Sequence, residues 1–288
     1  MQRANWRWHR LLASVFTLLG CGNWGYRNEA QARCNAFHAS NAPPNIVTSN
    51  AIQPVMAFHI RAYADDAYRK QVPEWQQTIR RQLDGVNAYI SERLHTRLVV
   101  DSVSEWRNPV EHADMAAYVP AFASVDRGDD VDWVIVYVGK RFEEIGQRFE
   151  FSMSASKLLF LRPADSLAER ESAKSVKGVD GGVLDALIRD RVKHRRLMFA
   201  LRAWAHSLGV PYDADYGHWM APLYDLHAAE FSQGSMRILR IGLQHASDAT
   251  LAGRLAWGEA VLRVIAENPE EFEPSAAADT RKWMTAVP

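Results

Sequence analysis

The sequence predicts an α+β fold, a mixed-sheet α/β arrangement built as one main domain, and three observations lead there. The first is the order of apolar segments along the chain: strand, long helix, strand, strand, edge strand, helix, loop, helix. The second is "DWVIVYVGKRF" (Asp132 to Phe142), an almost unbroken apolar run of the kind found in a strand covered on both faces. The third is the stripe Trp75, Ile79, Leu83, Val86, Ile90 and Leu94, whose steps of three and four belong to one face of a helix.

The composition agrees with a packed globular chain. Of 288 residues, 48% are hydrophobic and 24% charged, and 34 basic residues balance 34 acidic ones. A net charge of zero supplies no global attraction to nucleic acid or to an anionic surface, and no nucleic-acid partner is expected. The basic run "RVKHRR" (Arg191 to Arg196) reads as the solvated face of a helix. With two cysteines, Cys21 and Cys34, a disulfide-stapled scaffold is excluded.

The elements follow in chain order. "MQRANWRWHR" carries Arg3, Arg7 and Arg10 ahead of the apolar "LLASVFTLLG", which is the charged and apolar pattern of an export signal. The run is too short to span a bilayer, which takes roughly 20 apolar residues. "LLGC" (Leu18 to Cys21) resembles a bacterial lipoprotein signal, which implies lipid on Cys21 and attachment to the membrane surface of the cell envelope. A polar stretch rich in Asn, Ala, Pro and Ser then reads as a tether.

"VMAFHIRAYAD" (Val55 to Asp65) is expected as a strand, Val72 to His95 as a helix and "TRLVVDSVSEW" (Thr96 to Trp106) as the next strand. "SKLLFLRP" (Ser156 to Pro163) is expected at a sheet edge, because the proline that closes it cannot donate to a ladder. A long helix runs from about Val183 to Leu208 and is capped by Gly209, a loop contains "HWMAPLYD", and a helix opens after Ser232 as N-cap. The tail holds one further helix, "LAGRLAWGEAVLRVIAENPEEF", and a loose end. The expected division is therefore 1–20 signal, 21–53 tether, 54–247 main domain and 248–288 helical extension.

The stretch "FALRAWAHSLGVPYD" (Phe199 to Asp213) carries the chemistry, together with "HWMAPLYD" and "FSQGSMRIL". It resembles the active-site helix of metzincin zinc peptidases of the reprolysin-like kind. In such enzymes, histidines four apart on a helix and a third beyond a glycine hold zinc, a glutamate acts as general base, and a Met-turn lies beneath. The resemblance runs from Pro54 to His245 and implies a twisted sheet, a long active-site helix, a Met-turn and C-terminal helices. His206 would stand at the second ligand position, Gly209 at the turn and Met220 in the Met-turn.

The departures are as informative. Arg202 stands at the first ligand position, Ala203 at that of the general base and Tyr212 at that of the third ligand. An arginine keeps its proton and repels a cation, and a methyl group accepts no proton. Catalytic zinc takes three protein ligands, so His206 alone is a residual metal site. Tyr212 could coordinate a metal as a phenolate, and Asp213, Asp215 or His218 could swing in as ligands, yet none would replace the base.

The reading that results is an exported lipoprotein whose metzincin-like domain has lost its zinc chemistry and binds peptide or protein in a cleft along the edge strand 157–161. Two others stand beside it: an active zinc endopeptidase with replaced ligands, and a purely structural envelope lipoprotein. Ser232, Ser235, His245 and Asp248 include the types of a Ser/His/Asp site, but they lie on a helix and its exit without a nucleophile elbow and are read as a chance set.

Overall fold

The computed structural model describes residues 42–44, 56–108, 118–139, 150–154, 156–163, 180–246, 248 and 250–285. Cys21, Cys34, the expected signal and all of the expected tether except residues 42–44 lie outside the described residues. The chain forms two compact units, one of residues 1–43 with 165–193 and one of 44–164 with 194–288. In the first, the described part is mainly the opening of a helix, where the Asp180 side chain accepts from the Gly182 amide at 2.8 Å. No helix among the described residues is long and apolar enough to cross a membrane.

The second unit is a layered α/β structure. Strands β1 (Met56–Asp65), β2 (Thr96–Trp106), β3 (Trp133–Tyr137), β4 (Glu150–Ser152) and β5 (Leu158–Leu161) form one sheet in the order β2-β1-β3-β5-β4. β1 pairs in parallel with β2 and β3, β3 in parallel with β5, and only β4 runs antiparallel. Helices α1 (Asp66–Gln71), α2 (Trp75–Leu94), α3 (Tyr118–Ala123), the part of α4 (Gly181–Ser207) from His194 onward, α5 (Gln233–His245), α6 (Leu251–Glu267) and α7 (Ala276–Thr285) complete it.

Alternation along the strands feeds two apolar layers. Phe58, Ile60, Ala62, Trp133, Ile135 and Leu159 join Ile79, Leu83, Val86 and Ile90 of α2 and Met198, Leu201, Ala205 and Leu208 of α4 in the main core. Val134, Val136 and Phe160 turn the other way and pack with Trp106, Tyr118 and Phe122. All five residues of β3 are buried, as its unbroken apolar run requires. The stripe on α2 is buried from Ile79 to Leu94, with Trp75 half-buried against the core.

Four expectations are corrected. The helix expected from Val72 begins at Trp75, because Asp65 N-caps a separate short helix that ends at Val72. Pro73 and the left-handed Glu74 (φ 50°) then turn the chain.

The strand expected to reach Phe142 stops at Tyr137. Gly139 is clamped against α1: its amide donates to Asp65 Oδ1 at 3.0 Å and its carbonyl accepts from Gln71 Nε2 at 2.6 Å. A Cβ there would meet the Tyr68 nitrogen at 2.1 Å, so only glycine permits the approach.

The segment expected at the edge, Leu158–Leu161, lies inside the sheet between β3 and β4. Pro163 falls two residues past the last paired position, so its missing N–H interrupts nothing. Among the described residues the edge on that side is β4.

The expected loose end contains α7, whose Trp283 meets Trp257 at 5.0 Å. Ala276, Thr280 and Met284, four apart, form its buried face. Packing on α6 supplies the burial, and Gly258 leaves room for Met284.

Candidate functional site

The site is assembled at the end of α4. Gly209 has φ +85°, its amide donates to the His206 carbonyl at 3.0 Å, and the Val210 amide donates to Ala205 O at 3.1 Å. This pair of bonds is a Schellman cap, and it ends the helix one turn beyond the residues of interest. Arg202 and His206, four apart, share a helical face. The chain then doubles back through Pro211.

Tyr212 returns onto that face and stacks on the His206 ring, with centroids 5.5 Å apart and planes 15° apart. The Arg202 guanidinium lies 5.9 Å from the Tyr212 ring centroid and 5.1 Å from that of Phe199. Three of the sequence-derived positions therefore converge. Arg202 is 3% exposed, and its Nη1 donates to the carbonyl of Ala221, the residue after Met220. Met220 is fully buried in the main core, and its carbonyl accepts from the Asp213 amide at 3.0 Å.

His206 Nδ1 lies 2.9 Å from the Val210 carbonyl. A carbonyl can only accept, so Nδ1 carries a proton and donates it to Val210 O. Ala203 presents a buried methyl, and its carbonyl accepts from Ser152 Oγ at 2.8 Å. The end of the edge strand β4 thus touches α4 at Ala203, next to Arg202.

Asp213 is the residue whose role sequence reasoning missed. Considered as a side chain that might swing toward a metal, it is instead fully buried, and Oδ1 accepts from Ser232 Oγ at 3.0 Å and Ser235 Oγ at 2.7 Å. Burial pushes its carboxyl up to about 6, against the opposing effect of the two hydroxyls and of the neighbouring His218. The signal was present as Ser232 and Ser235 at the start of α5, where Ser232 also caps the helix through the Ser235 amide at 3.1 Å.

The segment is braced from the far end of the chain as well. Glu273 N donates to Tyr212 O at 3.0 Å, Ala214 N donates to Glu271 O at 2.9 Å, and Glu271 Oε2 accepts from the Gly234 amide at 2.7 Å. Of the chance Ser/His/Asp set, the serines serve Asp213 while Asp248 accepts from the Thr250 hydroxyl at 2.6 Å. The structure does not gather them into a catalytic group.

The donor set does not suit zinc. The Arg202 guanidinium, a group that keeps its proton and repels a cation, is directed at the Ala221 carbonyl. Among the described residues, no group of three or more His, Cys, Asp or Glu side chains is placed to hold a metal ion. What the arrangement offers is a fixed cation, an imidazole and a phenol beside the end of a strand edge.

No family model matches the chain, and no curated protein matches it. Solved structures do resemble it. Archaemetzincin from Methanopyrus kandleri has a TM-score of 0.45 at 14% identity, over 67% of this chain and 99% of that one. Metalloproteinase-II from Bacteroides fragilis has a TM-score of 0.40 at 10% identity, over 69% and 56%. A zinc-dependent peptidase from Methanocorpusculum labreanum has a TM-score of 0.37 at 12% identity, over 62% and 99%. The likeness is one of fold, and no residue role in this chain follows from it.

Proposed function

We propose that the chain is a non-hydrolytic, metzincin-like protein that binds an extended peptide or protein segment, displayed at the cell envelope through lipid on Cys21. The observation that carries this reading is the convergence of Arg202, His206 and Tyr212 on one spot, with a buried methyl at Ala203. On this reading Arg202 and Tyr212 stand in for two ligands of a metallopeptidase centre and Ala203 for its base. A fixed positive charge near a zinc ion is repulsive by several kcal/mol at short range, even at an effective dielectric near 20.

Backbone pairing needs no metal. β4 is the edge among the described residues, and its Ser152 is bonded to α4 at Ala203. An extended segment added to β4 would pass the cluster and take its affinity from main-chain hydrogen bonds.

The test uses the purified mature protein. Zinc content should be well below one per chain, and peptide cleavage should be absent with or without chelator. Fluorescently labelled unstructured peptides should bind, and N-methylation of their alternate amides should abolish binding. One tightly held zinc per chain, with cleavage lost in His206→Ala, would make the protein an active endopeptidase. Absence of any peptide binding would leave a structural envelope protein.

A further inference from the structure

Metal ions in such sites have two separable effects. One is chemical, and the other is to cross-link the segments that supply ligands, which adds to folding stability. Losing the ion would leave a helix end, a return segment and a turn without their common tie. Yet in this chain these three parts remain in contact, and one side chain reaches across them.

Arg202 projects from α4, donates to the carbonyl of Ala221 in the turn that holds Met220, and lies 5.9 Å from the ring centroid of Tyr212 in the return segment. The bonds beyond it are continuous. Ala221 N donates to His218 O at 3.1 Å, and Asp213 N donates to Met220 O at 3.0 Å. The Tyr212 ring in turn covers His206, one helical turn after Arg202.

We infer that the Arg202 guanidinium is a built-in substitute for the metal's structural role, a permanent cation that ties α4 to the 212–221 segment so that the site keeps its shape without any ion. This rests on the reading that the centre does not use zinc, and it adds the reason why α4 and the 212–221 segment stay together. Arginine suits the task. Its planar group keeps its charge at any physiological pH, offers five donors in a fixed fork and packs against aromatic faces. A lysine, with one compact and strongly hydrated ammonium, cannot donate to the turn and lie along two rings together. Removing the side chain would leave the buried Ala221 carbonyl without this donor.

The experiment is hydrogen exchange on the full folded chain, read separately over 210–221 and over α6. Dialysis of the natural protein against chelator should change neither region, and added zinc should give no protection. Arg202→Met should speed exchange over 210–221 by roughly tenfold or more, while α6 stays within about twofold. Arg202→Lys should behave like Arg202→Met, whereas Arg237→Met, at a surface ion pair with Glu267, should behave like the natural protein. In the triple variant Arg202→His, Ala203→Glu, Tyr212→His, zinc should restore the protection that Arg202→Met loses.

Chelator-sensitive exchange in the natural protein would overturn the inference without requiring any variant to fold. So would unchanged exchange over 210–221 in a folded Arg202→Met. Peptide binding is scored apart from these readouts, so a failure of the proposed function and a failure of the tie are distinguishable.

Discussion

Asp213 is the residue on which pH acts most directly. Burial holds its carboxyl up to about 6, so the folded state favours the neutral acid. The resulting stabilisation is fully present below the ordinary carboxylate pKa, near ~4, and is lost as pH rises through 6. Asp213→Asn keeps an acceptor for Ser232 and Ser235 and cannot ionise. Measured by urea unfolding, the variant should lose this part of the pH dependence and gain on the natural protein by on the order of 2 kcal/mol between pH 4 and pH 7. An unchanged slope would show that Asp213 does not titrate there. Ser232→Ala removes both the cap of α5 and one donor to Asp213, so it should cost about 1–2 kcal/mol and push the Asp213 pKa higher still. Arg202, His206 and Tyr212 were singled out in the sequence by a resemblance of order and spacing. The commitment of Asp213 to two hydroxyls was not legible there, because Ser232 and Ser235 stand nineteen and twenty-two positions further along the chain and only folding brings them near.

Among the elements, those with strong internal periodicity matched expectation and those defined by a neighbour did not. β2 spans Thr96–Trp106 as read, and α2 buries the face that its stripe marks. The end of β3 is different, because Gly139 is set by a contact with α1 and not by anything in its own run. Gly139→Ala should therefore lower stability by on the order of 3 kcal/mol, with the near-ultraviolet signal of the buried Tyr68 and Tyr137 pair altered. A variant that unfolds at the natural midpoint would refute the clamp. β4 has three paired residues and no pattern of its own, so nothing local in the sequence could say that it, rather than β5, forms the edge.

For the whole molecule, the C-terminal helices are bonded into the same unit as the candidate site. Phe272 is buried, its backbone bridges Asp213, and Trp283 packs on Trp257. Trp283→Ala should lower the thermal midpoint by several degrees, through lost packing on α6 of about 3 kcal/mol. A shift below one degree would mean that α7 is an independent appendage. Anchoring is tested separately: Cys21→Ser should leave an unprocessed precursor, and a mature N-terminus at Arg33 without lipid, found by mass spectrometry, would remove the lipoprotein reading. The sequence by itself determined the α+β class and the long helix with its glycine cap, because periodicity and capping act within a few turns of chain. Only the tertiary structure decided which strand lies at the edge, that Asp213 is buried between two serines and that Arg202 reaches Ala221. Those outcomes depend on which distant segments exclude water from one another, and no local pattern encodes that choice.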